Sequence, residues 1–184
     1  MNLLRSSSGD TLGSTLILVV VIVLAAGLMF VFPLMVTSSQ NDKIAYNQAY
    51  VALVDFTNNS ATIRKISEDS LDTFQQKLNS TGNLYEVQVE IQRLDQNPSK
   101  KVTQVETTKI GENLYYTEFY TFYTSESLTD QQIKEMFNIK LNSGDILTTR
   151  ISKTNLTIFE IIQNAVLQMT GSSKAEQSYQ VVVK

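Results

Sequence analysis

The chain has 184 residues, with 15 Lys and Arg against 18 Asp and Glu for a formal charge of -3, and it contains no His, Cys or Trp. That length fits one anchor and one domain rather than two domains beside an anchor. The absent residues remove the usual general base near neutral pH, thiol nucleophiles, disulfides and thiolate or imidazole metal sites. With no basic run longer than Arg64-Lys65 or Lys100-Lys101, nucleic acid has no electrostatic footprint here.

Residues 1–14 read as a polar leader. From Thr15 to Val36 the sequence TLILVVVIVLAAGLMFVFPLMV follows, and no charge occurs between Asp10 and Asp42. As a helix, roughly 22 residues rise about 33 Å, enough for a hydrocarbon core of about 30 Å. Lipid forces a backbone to satisfy its own hydrogen bonds, so the Val-Ile run is expected to be helical despite its strand propensity. The run exceeds the about 7–15 apolar residues of a cleaved signal, and Thr37-Ser38-Ser39-Gln40 does not resemble its cleavage site. Residues 15–37 are therefore expected to be a retained transmembrane helix.

The near flank carries Arg5 and the α-amino group against Asp10, and the far flank carries Asp42 and Lys43. A leader this short is simplest to leave in the cytoplasm, with the C-terminal part exported. Pro33 removes a backbone donor and is expected to kink the helix near Met29. Gly27, after Ala25-Ala26, makes a small-residue patch for helix packing without a G-x-x-x-G pair. A cysteine-free exported domain must fold by core packing alone, which fits a Gram-positive-like exterior at least as well as a disulfide-forming periplasm.

Residues 38–80 are expected to be an extracytoplasmic helical stalk. Ala45, Ala49, Ala52 and Phe56 fall at helical spacing, flanked by Tyr46, Tyr50 and Leu53, and form an apolar seam that would need a partner. That helix is expected to fray at Asn58-Asn59-Ser60. A second helix over Ser67–Leu78 carries Leu71, Phe74 and Leu78 on one side, with Glu68 and Asp69 in its first turn and Gly82 after it.

Residues 81–184 read as the head. Tyr85, Val87, Val89 and Ile91 alternate with Glu86, Gln88, Glu90 and Gln92, the period of a strand with one buried face. A turn at Asn97-Pro98-Ser99, a weaker strand holding Val102 and Val105, a turn at Gly111-Glu112-Asn113 and the strand Leu114–Thr124 complete an expected antiparallel meander. Thr129 to Gln132 has capping-box spacing and should open a short helix with Ile133, Met136 and Phe137 inward. Asn142-Ser143-Gly144-Asp145 is a turn leading into a strand over Ile146–Ile151. A helix over Thr157–Met169 is expected to bury Ile158, Ile161, Ile162, Ala165 and Met169. Gly171-Ser172-Ser173 loosens the chain before a last strand over Tyr179–Val183. The fold class expected is α+β: a long N-terminal transmembrane helix continuing into a small extracytoplasmic domain with an antiparallel sheet and short helices.

Chemistry-bearing patterns are sparse. Tyr116, Tyr120 and Tyr123 on the aromatic strand form a candidate binding surface, though alternation on both faces of one strand favours core plus a covered outer face. Glu86 and Glu90 share a strand face with Gln88 and Gln92, a solvated face rather than a carboxylate pair. Asp145 lacks the spaced oxygen ligands of a calcium loop. No phosphate loop, nucleophile elbow, H-E-x-x-H or S-x-x-K occurs. No enzyme activity, cofactor or metal is expected.

A short leader with glycines, one apolar helix running into an exported helix, and a small β-containing head together resemble type IV pilin-like proteins, among them the tight-adherence (TadE-like) pseudopilins. The likeness covers Gly9 to about Phe56 and extends loosely to Ser143-Gly144-Asp145-Ile146-Leu147, similar to a Gly-Asp followed by a hydrophobic strand in that family. The resemblance implies processing after a leader glycine, for which Gly9 and Gly13 are candidates, and a Glu five residues further on. Those positions hold Ser14 and Leu18 here, which implies an uncleaved, accessory or minor member. The expected function is a membrane-anchored, non-enzymatic minor pilin-like component of a pilus, secretion or conjugation machine. Its partners would be the membrane and other pilin-like subunits. The alternative is an anchored extracytoplasmic module that recognises cell wall or a ligand.

Overall fold

The computed structural model describes residues 8–94, 105–110, 113–125, 139–167 and 176–184. Most of the leader, the Asn97-Pro98-Ser99 turn, Val102, Gly111-Glu112, the helix expected at Thr129, Met169 and the Gly171 loop lie outside them. The chain divides into two compact units, Met1–Asn41 and Asp42–Lys184. Helix α1 (Ser8–Ile63) contributes to both.

In the first unit the helix begins at Ser8, so Gly9 and Gly13 lie within it. Side chains from Gly13 to Phe30 are all exposed, with no polar stripe among them. The helix continues through Pro33. A Cβ built on Gly27 would meet nothing within 4 Å, so that small-residue patch has no close neighbour in the chain. Among the described residues this is the one helix long and apolar enough to cross a membrane.

In the second unit α1 becomes one-sided. Ala45, Ala49, Ala52, Leu53 and Phe56 are buried, whereas Ile44, Tyr46, Tyr50 and Val51 are exposed. The seam expected to need a partner is thus filled from within the chain. Helix α1 also runs past Asn58-Asn59-Ser60 instead of fraying there, because Ser60 and Ala61 are buried and Thr62 Oγ1 donates to the Asn58 carbonyl (2.7 Å). It stops at Arg64, whose φ of 53° is left-handed, and the Lys65 N–H returns to the Ser60 carbonyl at 3.1 Å.

Helix α2 (Glu68–Asn79) starts at a reciprocal cap: Ser67 Oγ accepts from the Ser70 N–H, and Ser70 Oγ accepts from the Ser67 N–H, each at 3.2 Å. Its Leu71, Phe74 and Leu78 are buried, and the Phe74 ring stacks on Phe56 with centroids 4.5 Å apart.

Five strands form one antiparallel sheet in the order β2-β3-β1-β4-β5. These are β1 (Tyr85–Leu94), β2 (Val105–Ile110), β3 (Asn113–Tyr123), β4 (Ile146–Lys153) and β5 (Glu176–Val182). A simple meander would pair β1 with β2. Instead β3 inserts between them, hydrogen-bonding β1 on one side and β2 on the other, and β1 becomes central. The alternation of β1 places Val87, Val89 and Ile91 on the core side, registered against Phe122 and Tyr120 of β3 and against Ile151, Thr149 and Leu147 of β4.

One core extends from Ala49 and Phe56 through Phe74 and Val89 to Val183. It crosses the expected boundary at residue 80, so the helices after Asp42 and the sheet are one body. Thr57 Oγ1 reaches Thr149 Oγ1 (2.9 Å), and Gln177 Nε2 donates to the Tyr46 carbonyl (3.1 Å), tying α1 to β4 and β5. Helix α3 (Ile158–Leu167) departs most from expectation: Ile158, Ile161 and Ala165, expected inside, are exposed.

Because unit Asp42–Lys184 carries its own core, it is expected to unfold in one cooperative urea transition when produced alone. In that fragment Phe74→Ala should cost about 3–5 kcal/mol, from lost burial and the cavity left between Phe56 and the sheet. Circular dichroism against urea measures both, and a broad, non-cooperative melt would contradict the shared core.

Candidate functional site

The strand period that buries Val87, Val89 and Ile91 puts Arg93 on the same face of β1. A guanidinium in that position needs paired acceptors. Its Nε donates to Glu118 Oε1 on β3 (3.0 Å), and its Nη1 donates to Asp145 Oδ2 in the turn before β4 (3.0 Å) and to the Lys140 carbonyl (3.1 Å). The Asn142 N–H donates to Asp145 Oδ2 (2.8 Å), and the Tyr120 hydroxyl to Glu118 Oε2 (3.3 Å). Gly144, at φ 95°, turns the chain so that Asp145 faces inward.

Two buried carboxylates therefore share one guanidinium. Burial pushes the Asp145 carboxyl up from its ordinary value; the Asn142 N–H and the Arg93 charge oppose that, and the Glu118 charge reinforces it. The position considered for a cation beside Asp145 is filled by Arg93 itself. Chemically this is a fastening of β1, β3 and the β4 turn. Among the described residues, no cluster of three or more Asp, Glu, His or Cys could hold a metal ion.

The aromatic candidates do not form one surface. Tyr120 and Tyr123 are an odd number of residues apart, so they project from opposite faces of β3. Tyr120 packs against the core beside buried Phe122, and Tyr123 is exposed. Tyr116 pairs in register with Arg93; its side chain lies outside the described residues. Glu90, expected on a solvated face, is buried; it accepts from Gln92 Nε2 (2.8 Å) and from Arg150 Nη2 (3.3 Å). As the middle strand, β1 is flanked on both sides, which covers its outer face more than a period-2 pattern alone indicates.

A cleft of about 510 Å³ lies between α1 and α2, lined by Asp55, Phe56, Asn59, Asp69, Thr73 and Lys77 among others. Lys77 Nζ meets Asp55 Oδ2 there at 2.8 Å, an exposed pair of small energetic weight. The Arg93 cluster does not line this cleft.

One constellation escaped the sequence reading. Thr157 and Glu160 form a capping box on α3: Glu160 Oε2 accepts from the Thr157 N–H (2.8 Å), and the Glu160 N–H donates to Thr157 Oγ1 (3.4 Å). Glu160 also meets Lys153 Nζ at 2.6 Å, and Thr157 Oγ1 donates to Asp42 Oδ2 at 2.7 Å. Burial alone would raise the Glu160 carboxyl, but the bonds from Lys153 and Thr157 outweigh it and hold it below its ordinary value. The T-x-x-E spacing was the available signal.

Compared with known family models, with curated proteins and with solved structures, the chain matches none of them.

Removing the Arg93 charge should strand two buried carboxylates, so Arg93→Leu is expected to cost about 3–5 kcal/mol in a urea melt at neutral pH. The Asp145 carboxyl is raised in the folded state, so above its ordinary 3.8 and up to that raised value the folded chain binds more protons than the unfolded chain. Across that window the Asp145 contribution should fall as pH rises, opposite in sign to that of Glu160, whose carboxyl is lowered from 4.5. In Asp145→Asn that contribution should vanish, as read from the difference in urea midpoints between the two proteins over the acid range.

Proposed function

We propose that this protein is a single-pass membrane protein, its N-terminus cytoplasmic and its α+β head extracytoplasmic, acting as a non-enzymatic accessory subunit of a pilin-like assembly. The observation that carries this reading is the change of character along α1. From Leu16 to Phe30 its side chains are apolar and exposed all round; after Asp42 the helix is one-sided, with one face buried in a folded head. A helix apolar on every face has no stable place in water and suits lipid or a bundle of like helices. The part of the same helix after Asp42 builds the head's core.

Support for a non-catalytic role is chemical. His and Cys are absent, and the charged cluster at Arg93 ties strands together away from the cleft. Support for an assembly role is the resemblance in layout to pilin-like and tight-adherence-like subunits, together with an open Gly27 patch on the apolar segment. The absence of Glu at positions 14 and 18 suits an accessory member better than a major one. No observation favours the ligand-binding module, because Tyr120 and Tyr123 face opposite sides of the sheet.

Three measurements separate the parts of this proposal. The full chain should stay in the pellet after alkaline carbonate, and protease added to intact cells should remove the head; extraction or shielding would end the anchored reading. After mild solubilisation the chain should migrate with other membrane proteins in a particle larger than itself, and a strict monomer would end the assembly reading.

A further inference from the structure

Strand β5 ends the sheet, and the direction of its main-chain groups follows from one residue. The Val183 N–H donates to the Asp145 carbonyl and the Val183 carbonyl accepts from the Gly144 N–H, each at 2.8 Å, so both groups point toward the β4 side. In an antiparallel pair these directions alternate along the strand. Tyr179 and Val181, registered against Thr149 and Leu147, therefore also turn toward β4. The N–H and C=O of Ser178, Gln180 and Val182 point the other way, and among the described residues no hydrogen bond reaches them. All three residues are exposed.

Open edges usually carry a device against added strands: a Pro, a bulge or a Lys. The other edge strand, β2, includes Lys109. Strand β5 (EQSYQVV) has no Pro and no Lys, and its pairing with β4 runs unbroken from Glu176 to Val182. A row of free main-chain donors and acceptors is satisfied by another extended chain.

Charge indicates which chain. Two copies related by a two-fold axis pair antiparallel, and residues set opposite each other share a face of the sheet. With the axis at Gln180, Ser178 meets Val182 of the second copy, and Glu176 meets Lys184 of the second copy at each end. With the axis at Ser178 or Tyr179, Glu176 falls opposite Gln180 or Val182 and gains no counter-charge. Within its own chain Glu176 reaches Arg150 only at 3.8 Å, and its side chain is 55% exposed.

We propose that two copies of this chain join edge to edge through β5, antiparallel about Gln180, so that one sheet runs through both heads. The surface lies wholly within the unit after Asp42 and does not depend on the pilin-like reading.

The chain has no cysteine, so introduced thiols report contacts directly. In the full chain, solubilised in detergent and mildly oxidised, Gln180→Cys should form a disulfide-linked dimer, because opposed hydrogen-bonded residues have Cα atoms about 5.5 Å apart. Ser178→Cys and Val182→Cys should each link poorly alone, their like positions lying about 13 Å apart along the paired strands, and efficiently when mixed. Ser143→Cys, on an exposed turn, sets the rate of random collision. Gln180→Lys puts like charges face to face only in the symmetric pair and should weaken the dimer several-fold in sedimentation equilibrium. Glu176→Lys should weaken it as well, and adding Lys184→Glu should restore it, which losing the Arg150 contact within one chain would not explain. A chain that stays monomeric at every concentration overturns the proposal. A dimer in which the thiol at 180 links no faster than the one at 143 overturns it too, because another surface then joins the copies. Particles from native membranes that hold other proteins but give no link at 180 leave the assembly reading standing and overturn β5 pairing.

Discussion

Everything after Asp42 depends on the small side chains of α1. Ala45, Ala49 and Ala52 recur at helical spacing and are buried together with Leu53 and Phe56, so the small side chains of α1 form part of the face that the rest of this unit covers. Larger residues at those positions would hold the layers apart and open the core. Thr57 then places a hydroxyl inside this contact and satisfies it on the Leu53 carbonyl and Thr149 Oγ1. The same helix that is apolar on all sides earlier in the chain thereby becomes the spine of a folded unit.

The sheet is organised around β1 for a related reason. As the middle strand it takes hydrogen bonds on both edges, packs Val87, Val89 and Ile91 beneath α1 and α2, and carries Arg93 at its end. The guanidinium fastens β3 and the turn before β4 where apolar packing gives out. Removing one partner from such a network leaves charge stranded in the interior, so its energetic weight lies in completeness more than in any single contact.

Periodic features were readable in the sequence. The apolar run, the α2 face at Leu71, Phe74 and Leu78, the alternation in β1 and the Gly144 turn each follow from a local spacing that the structure keeps. Non-local features were not. The insertion of β3 between β1 and β2 is a pairing choice between distant segments, to which a local pattern is blind. The covering of the Ala stripe by its own sheet belongs to the same class. In α3 the helix was legible but its orientation was not, because the capping box and the Lys153 pair turn Glu160 inward and override the apolar period. The aromatic strand misled by composition: Tyr120 and Tyr123 lie on one strand, but their odd spacing places them on opposite faces.

Native-state hydrogen exchange on the full chain in lipid shows whether the second half of α1 and the sheet are one cooperative body. Amides of Ala49–Phe56 in α1 and of Val87–Ile91 in β1 should open with the same free energy and respond equally to added denaturant. Helix amides that exchange at markedly lower free energy than the strand, on their own denaturant dependence, would contradict it.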